Sequence, residues 1–118
     1  MAEVNTLEVK DGAKPGQRVL ELHGPLTVTT LFSFQNALRA ETAPVVIIDL
    51  TGVPYIDSAG LGALVNGYVS CQKHGRSLVL VGVADRIRNL FKITRVDQLF
   101  EMYPSVADAE AKHAAAAS

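Results

Sequence analysis

Residues 45–50 read Val-Val-Ile-Ile-Asp-Leu, an apolar, largely β-branched run that opens after Ala43-Pro44 and closes in a short turn. A run without alternation has no side to offer water, so it predicts a strand covered on both faces or set in the centre of a sheet. Something must then lie on each side of that strand, which forces a layered fold. The segment that follows, Tyr55-Ile56-Asp57-Ser58-Ala59-Gly60-Leu61-Gly62, delivers a hydroxyl to the start of an amphipathic helix. Leu61, Leu64, Val65, Tyr68 and Val69 give that helix the strongest helical spacing in the chain.

The remaining punctuation alternates strands and helices. Val4 to Val9 alternates weakly and predicts an edge strand. Lys14-Pro15-Gly16 turns the chain into Arg18–His23, whose period of two predicts a strand with one buried face. After Gly24-Pro25, Thr29 or Thr30 is expected to cap a helix carrying Leu31, Phe34 and Leu38 inward. His74-Gly75 ends the central helix and Ser77–Val81 follows as a strand. Ala84 to Thr94 is helical, with Ile87, Leu90 and Phe91 inward. Leu99–Tyr103 predicts a last short strand, and Ser105-x-x-Asp108 predicts a capping box opening a final helix. The order ββαβαβαβα predicts an α/β structure, with residues 1–118 as a single domain that frays from about residue 112.

The whole-chain numbers narrow the function classes. With 48% hydrophobic and 19% charged residues, 118 residues can bury a core without disulfides or metal. A formal charge of −1 supplies no basic field, so no direct nucleic-acid partner is expected. Cys71 is the lone cysteine, and a reducing cytoplasmic setting is the default. No run reaches the ~20 apolar residues of a bilayer span, and Met1–Asn5 shows neither part of a secretory signal. His23, His74 and His113 share no ligand spacing with Cys71, so no metal site is expected. Arg86, Arg88, Lys92 and Arg95 read as the solvated face of their helix.

Ser58 admits two readings on its residues alone. A helix N-terminus has unpaired N–H groups and a partial positive charge, so a phosphate of about −1.5 to −2 charges can be accommodated there. Equally, Asp57 or Ser58 can be an ordinary cap, with Gly60 and Gly62 packing on the sheet. Two other phosphate readings are weaker. Gly60-x-Gly62 has Val65 at the third glycine position of a dinucleotide fingerprint. Asp49, an acid near a strand end, lacks a convincing acidic pair around Val9–Gly12 to hold the Mg²⁺ that a receiver domain requires. No Gly-x-Ser-x-Gly elbow is present, and nothing pairs Ser58 with a base.

Ile56-Asp57-Ser58-Ala59-Gly60-Leu61-Gly62 resembles the signature of STAS domains, in particular the bacterial anti-sigma-factor antagonists. The likeness extends along nearly the whole chain. Leu22-x-Gly24-x-Leu26 looks like the family's second strand and its exit, and Val46–Leu50 like its central strand. Ile87-x-x-Leu90-Phe91 followed by Val96 looks like its third-helix segment. The resemblance implies a STAS fold: one mixed sheet of four to five strands flanked by helices, without catalysis or a cofactor of its own. It implies that Ser58 is phosphorylated by an anti-sigma factor with serine-kinase activity, that only the unphosphorylated form binds that partner and frees a sigma factor, and that a phosphoserine phosphatase resets the switch. Asp57, Ser58, Ala59, Gly60, Leu61, Gly62 and Thr27 are then the expected partner-binding residues, with Asp57 orienting the turn and the glycines keeping the approach open.

Three positions depart from the pattern. Ala59 stands where many members carry a second hydroxyl. Pro25-Leu26-Thr27 replaces a glutamate-leucine-aspartate sequence, which puts partner choice and phosphorylation at stake. Arg95 replaces a glycine between the third helix and the last strand. The Thr27 departure favours a rival reading, an unphosphorylated STAS adaptor in a transporter or signalling assembly. A receiver domain phosphorylated on Asp49 is the second rival.

Overall fold

The computed structural model describes residues 4–113. Five strands and four helices alternate as β1 (Thr6–Asp11), β2 (Gln17–His23), α1 (Phe32–Ala40), β3 (Val45–Gly52), α2 (Ser58–Lys73), β4 (Ser77–Val81), α3 (Asp85–Ile93), β5 (Glu101–Tyr103) and α4 (Val106–Lys112). This is the ββαβαβαβα order predicted above. The strands form one mixed sheet in the order β1-β2-β3-β4-β5. β1 runs antiparallel to β2, and β2, β3, β4 and β5 are mutually parallel.

β3 sits in the middle with Val45 through Leu50 all buried, as its unbroken apolar run requires. Its even-numbered residues Val46, Ile48 and Leu50 join Leu20, Leu22, Leu78 and Leu80 beneath α1, α2 and α3, where Phe34, Leu64, Ile87 and Phe91 complete the larger core. Val45 and Ile47 point the other way with Val19, Val79 and Val81, and α4 covers them through Ala109. The short last helix is therefore what lets the central strands be apolar on both sides.

Four local expectations change. β2 is buried on both faces rather than one, because Val19 lies under α4 while Leu20 and Leu22 lie under the other helices. β1 runs two residues later than the alternation around Val4 suggests. Neither Thr29 nor Thr30 caps α1: Leu31 holds the cap position without a side-chain bond, because Thr30 Oγ1 donates to the Pro25 carbonyl (2.8 Å) and accepts from Thr27 N–H (2.8 Å). On α2, Val69 is exposed, and the buried stripe runs through Gly60, Leu61, Ala63, Leu64, Gly67 and Cys71. Small residues let α2 approach its neighbours, and a Cβ on Gly67 would meet Leu38 Cδ2 at 2.3 Å. Hydrophobicity alone does not register such a stripe.

At the C-terminal end, Lys112 closes α4 and His113 is bonded to Glu101 (2.9 Å). Residues 114–118 lie outside the described residues. Ser105 accepts from Asp108 N–H at 3.2 Å, the predicted cap of α4.

Candidate functional site

The turn between β3 and α2 is built against the segment leaving β2. Leu26 and Ile56 form a parallel bridge, with Leu26 N–H donating to Tyr55 O (3.2 Å) and Asp57 N–H donating to Leu26 O (3.3 Å). Asp57 then occupies the N-cap of α2 in an extended conformation. One carboxylate oxygen, Oδ1, accepts from Gly60 N–H at 2.8 Å. The other, Oδ2, accepts from Val28 N–H at 3.0 Å. A single side chain thus caps the helix and ties it to the β2–α1 loop. Burial pushes the Asp57 carboxyl up, but the N–H groups of Gly60, Val28 and Ala59 outweigh it and hold the group below the usual carboxylate range.

Because Asp57 is the cap, Ser58 is released from that task. Ser58 is the first residue of α2 and is exposed, with its hydroxyl at the positive end of a 16-residue helix. Ala59 beside it is half-buried, and its methyl offers no second acceptor.

The two glycines differ sharply. Gly60 is buried, and a Cβ there would lie 2.2 Å from the Leu26 carbonyl oxygen. The approach of the bridging strand is reason enough for a glycine here. Gly62 has nothing within 4 Å of its Cβ position and leaves open space beside the first turn. Leu61 is 9% exposed and belongs to the core.

Thr27, one of the expected partner-binding residues, is 7% exposed. Its hydroxyl lies 3.1 Å from Thr29 Oγ1 and 3.3 Å from Thr30 Oγ1, a small hydroxyl cluster that shapes the loop. Its neighbour Val28, whose own N–H makes the bond to Asp57, is instead 64% exposed. Phe32, in the first turn of α1, is 70% exposed. Sequence reasoning did not single out these two. The available signal was that Phe32 falls off the Leu31, Phe34, Leu38 stripe.

Asp49 is taken up by its own turn. It is 9% exposed, and its Oδ1 accepts from both the N–H (3.0 Å) and the hydroxyl (2.7 Å) of Thr51. The sheet order also differs from the all-parallel 2-1-3-4-5 arrangement of doubly wound receiver-like folds. Among the described residues, no group of three or more His, Cys, Asp or Glu side chains is placed to hold a metal ion. Cys71 is buried, and burial pushes its thiol up. No helix of the described residues is long and apolar enough to cross a membrane.

Comparison with known proteins agrees with this geometry. Residues 6–109 match the STAS domain family model. An anti-sigma-B factor antagonist of Listeria monocytogenes is 44% identical over 55 residues, 47% of this chain and 48% of the relative; the match thus spans about half the length of that curated protein. Among solved structures, an anti-sigma factor antagonist from Mycobacterium paratuberculosis superposes with a TM-score of 0.80 at 26% identity, covering 92% of both chains. A sulfate transporter family protein from Wolinella succinogenes superposes at 0.71 with 27% identity, covering 87% of this chain and 88% of the other. The match runs from the first strand into the last helix, over a mixed sheet and an aspartate-capped turn, and the chain therefore belongs to the STAS domain family.

Proposed function

We propose that this chain is a binding switch of the anti-sigma-factor-antagonist type, not an enzyme, with Ser58 as its phosphoacceptor. The observation that carries the reading is the division of labour at the start of α2. Asp57 makes the capping bonds, so the exposed Ser58 hydroxyl is spared for chemistry without loss of the helix.

Phosphate on Ser58 would have opposing neighbours. The helix terminus favours it by ~0.3–1 kcal/mol, while the adjacent Asp57 carboxylate opposes it. The fold should therefore be almost indifferent to the modification. A docked protein surface is different, because an anion pressed into an interface without a partner costs several kcal/mol, and each ~1.4 kcal/mol is tenfold in affinity. Exposed Val28 supplies apolar contact area beside the same turn, and the open space at Gly62 leaves room for such a surface to approach. In this reading the partner is an anti-sigma factor with serine-kinase activity. ATP belongs to that kinase, a phosphoserine phosphatase reverses the mark, and the exchange takes place in the cytoplasm.

The test is transfer of one phosphate from ATP by the cognate kinase, abolished by Ser58→Ala. Undiminished phosphorylation of the mutant would remove Ser58 from the mechanism. A second reading, an adaptor that is never phosphorylated, draws on the closed hydroxyl cluster of Thr27 and on the likeness to a sulfate transporter family protein. Identical partners captured by wild type and Ser58→Asp would favour the adaptor, whereas loss of one partner by Ser58→Asp favours the switch.

A further inference from the structure

Asp57 can serve both the helix and the loop only if the Val28 N–H is brought to it and held there. Val28 is 64% exposed, and its bond to Asp57 Oδ2 (3.0 Å) lies where water competes for both partners. Such a bond persists when the donor is fixed in advance, because ordering it then costs nothing further. The β2–α1 loop must therefore hold that amide in place.

Thr27 and Thr30 close on each other from both sides of it. Thr30 N–H donates to Thr27 O (3.0 Å), which makes Val28 and Thr29 the corner of a turn. In return, Thr27 N–H donates to Thr30 Oγ1 (2.8 Å). The Thr30 hydroxyl gives its own proton to Pro25 O (2.8 Å). The Thr27 hydroxyl, 3.3 Å away, is then the donor in their contact. Thr30 Oγ1 thus has its proton and both lone pairs engaged, in a residue only 9% exposed. The N–H groups of Thr27 and Thr30 are taken inside the turn, and that of Leu26 is given to Tyr55 O. Val28 N–H is the one turned to Asp57.

We propose that Thr30 is a positioning residue for the Ser58 site: its hydroxyl holds the turn that presents Val28 N–H to Asp57, and so fixes the carboxylate beside the acceptor. The functional consequence rests on the reading of Ser58 as a phosphoacceptor. Thr30 acts on that carboxylate through Val28. Without its hydroxyl, Pro25 O and Thr27 N–H lose their partner and the corner loosens. Asp57 Oδ2 returns to water while Oδ1 stays on Gly60 N–H. The carboxylate can then turn about its one remaining anchor, and its charge no longer keeps a single place next to Ser58.

The experiment compares wild type, Thr30→Val, Thr30→Ser and Thr27→Val as isotope-labelled full chains by NMR. Thr30→Val should speed hydrogen exchange at the Val28 amide about tenfold. It should also move the Asp57 carboxyl titration upward, because one of the N–H groups that hold it down is lost. Thr30→Ser keeps the hydroxyl and should restore both signals. Thr27→Val leaves the two backbone bonds of the Thr30 hydroxyl in place and should match wild type. With the cognate kinase and ATP, Thr30→Val should accept phosphate roughly threefold more slowly than Thr30→Ser. Unchanged Val28 exchange and Asp57 titration in Thr30→Val overturn the proposal, and so does a Thr27→Val protein that alters both as much. Equal phosphorylation of Thr30→Val and Thr30→Ser, where wild type is phosphorylated, overturns it too. Should Thr30→Val not fold, wild type decides: acidification through the Asp57 transition should shift the Thr27 amide, the donor to Thr30 Oγ1, with the midpoint seen at Val28. A Thr27 amide that stays flat overturns the coupling. The NMR signals need no kinase, so a wild type that takes no phosphate removes the Ser58 reading and leaves the coupling of Thr30 to Asp57 judged by them.

Discussion

Replacing Gly60 by alanine pits helix propensity against packing. In an exposed helix the change would stabilise by about 0.8–1 kcal/mol. At this position the new Cβ would lie 2.2 Å from Leu26 O and 3.0 Å from Leu26 C. The carbonyl must therefore retreat by roughly 1 Å to reach ordinary contact. It cannot do so freely. Leu26 O accepts from Asp57 N–H, and Leu26 N–H donates to Tyr55 O. Two residues on, Val28 N–H holds Asp57 Oδ2. Losing one or two of these bonds costs about 0.5–1.5 kcal/mol each, and overpacking typically adds 1–3 kcal/mol. The net expectation is a loss of roughly 1–3 kcal/mol, or a Tm about 5–15 °C lower for a chain of this length. Gly62→Ala, with nothing within 4 Å, is the internal control and should gain up to about 1 kcal/mol. Urea unfolding followed by far-UV circular dichroism measures both. A Gly60→Ala protein as stable as Gly62→Ala would refute the claim that the Leu26 approach dictates the glycine.

Three further outcomes follow from single residues. Arg95 holds φ +63°, a left-handed conformation that costs an L side chain roughly 1–2 kcal/mol, so Arg95→Gly should stabilise by about 0.5–1 kcal/mol after the entropy of glycine is counted; an unchanged urea midpoint would count against the strain. Asp57→Ala should cost about 1–2 kcal/mol at pH 7 as a lost N-cap. Because folding lowers the Asp57 pKa, its contribution is present above the unfolded value near 3.9 and fades as pH falls through the folded value. The gap between Asp57→Ala and wild type should therefore narrow at strongly acid pH, and a constant gap would show that the charge plays no part. Burial and the hydroxyl's bond to Glu101 push the Tyr103 phenol up to about 12, so the labelled Tyr103 ring should stay protonated at pH ~11 by NMR. Glu101→Gln should bring its ionisation down, and half-ionisation of wild type near pH ~10 would contradict the contact.

The order of elements was readable because each left a local mark. The β3 run had no polar side, α3 placed Ile87 and Phe91 one turn apart, and Ser105 stood three residues before Asp108. The misread places are those where the decisive partner is distant in sequence. The alternation of β2 predicted one buried face, and the other is covered around Val19 by neighbours that include Ala109 of α4, some 90 residues later. Thr30 had the chemistry of a cap, but its hydroxyl was taken by Pro25 O and Thr27 N–H when the loop closed. On α2, Leu61 and Leu64 lie in the core with Val65 and Tyr68 packed against it and Val69 is exposed, while Gly60 and Gly67, which carry no hydrophobic signal, make its closest approaches.

At the candidate site the same division holds. The residues alone identified Asp57-Ser58 at a strand-to-helix junction but left either one free to be the cap, since both side chains can accept from an N–H three residues or fewer away. Tertiary structure decided between them. The β2–α1 loop presents Val28 N–H to Asp57 Oδ2, which orients the carboxylate so that its other oxygen meets Gly60 N–H. It also set Gly60 against the Leu26 carbonyl and buried Thr27 in the loop while exposing Val28 and Phe32. Periodicity and capping chemistry act over a few residues and can be read from the chain. Which groups are already occupied depends on what the fold brings beside them, and that is set only when the sheet and its helices close.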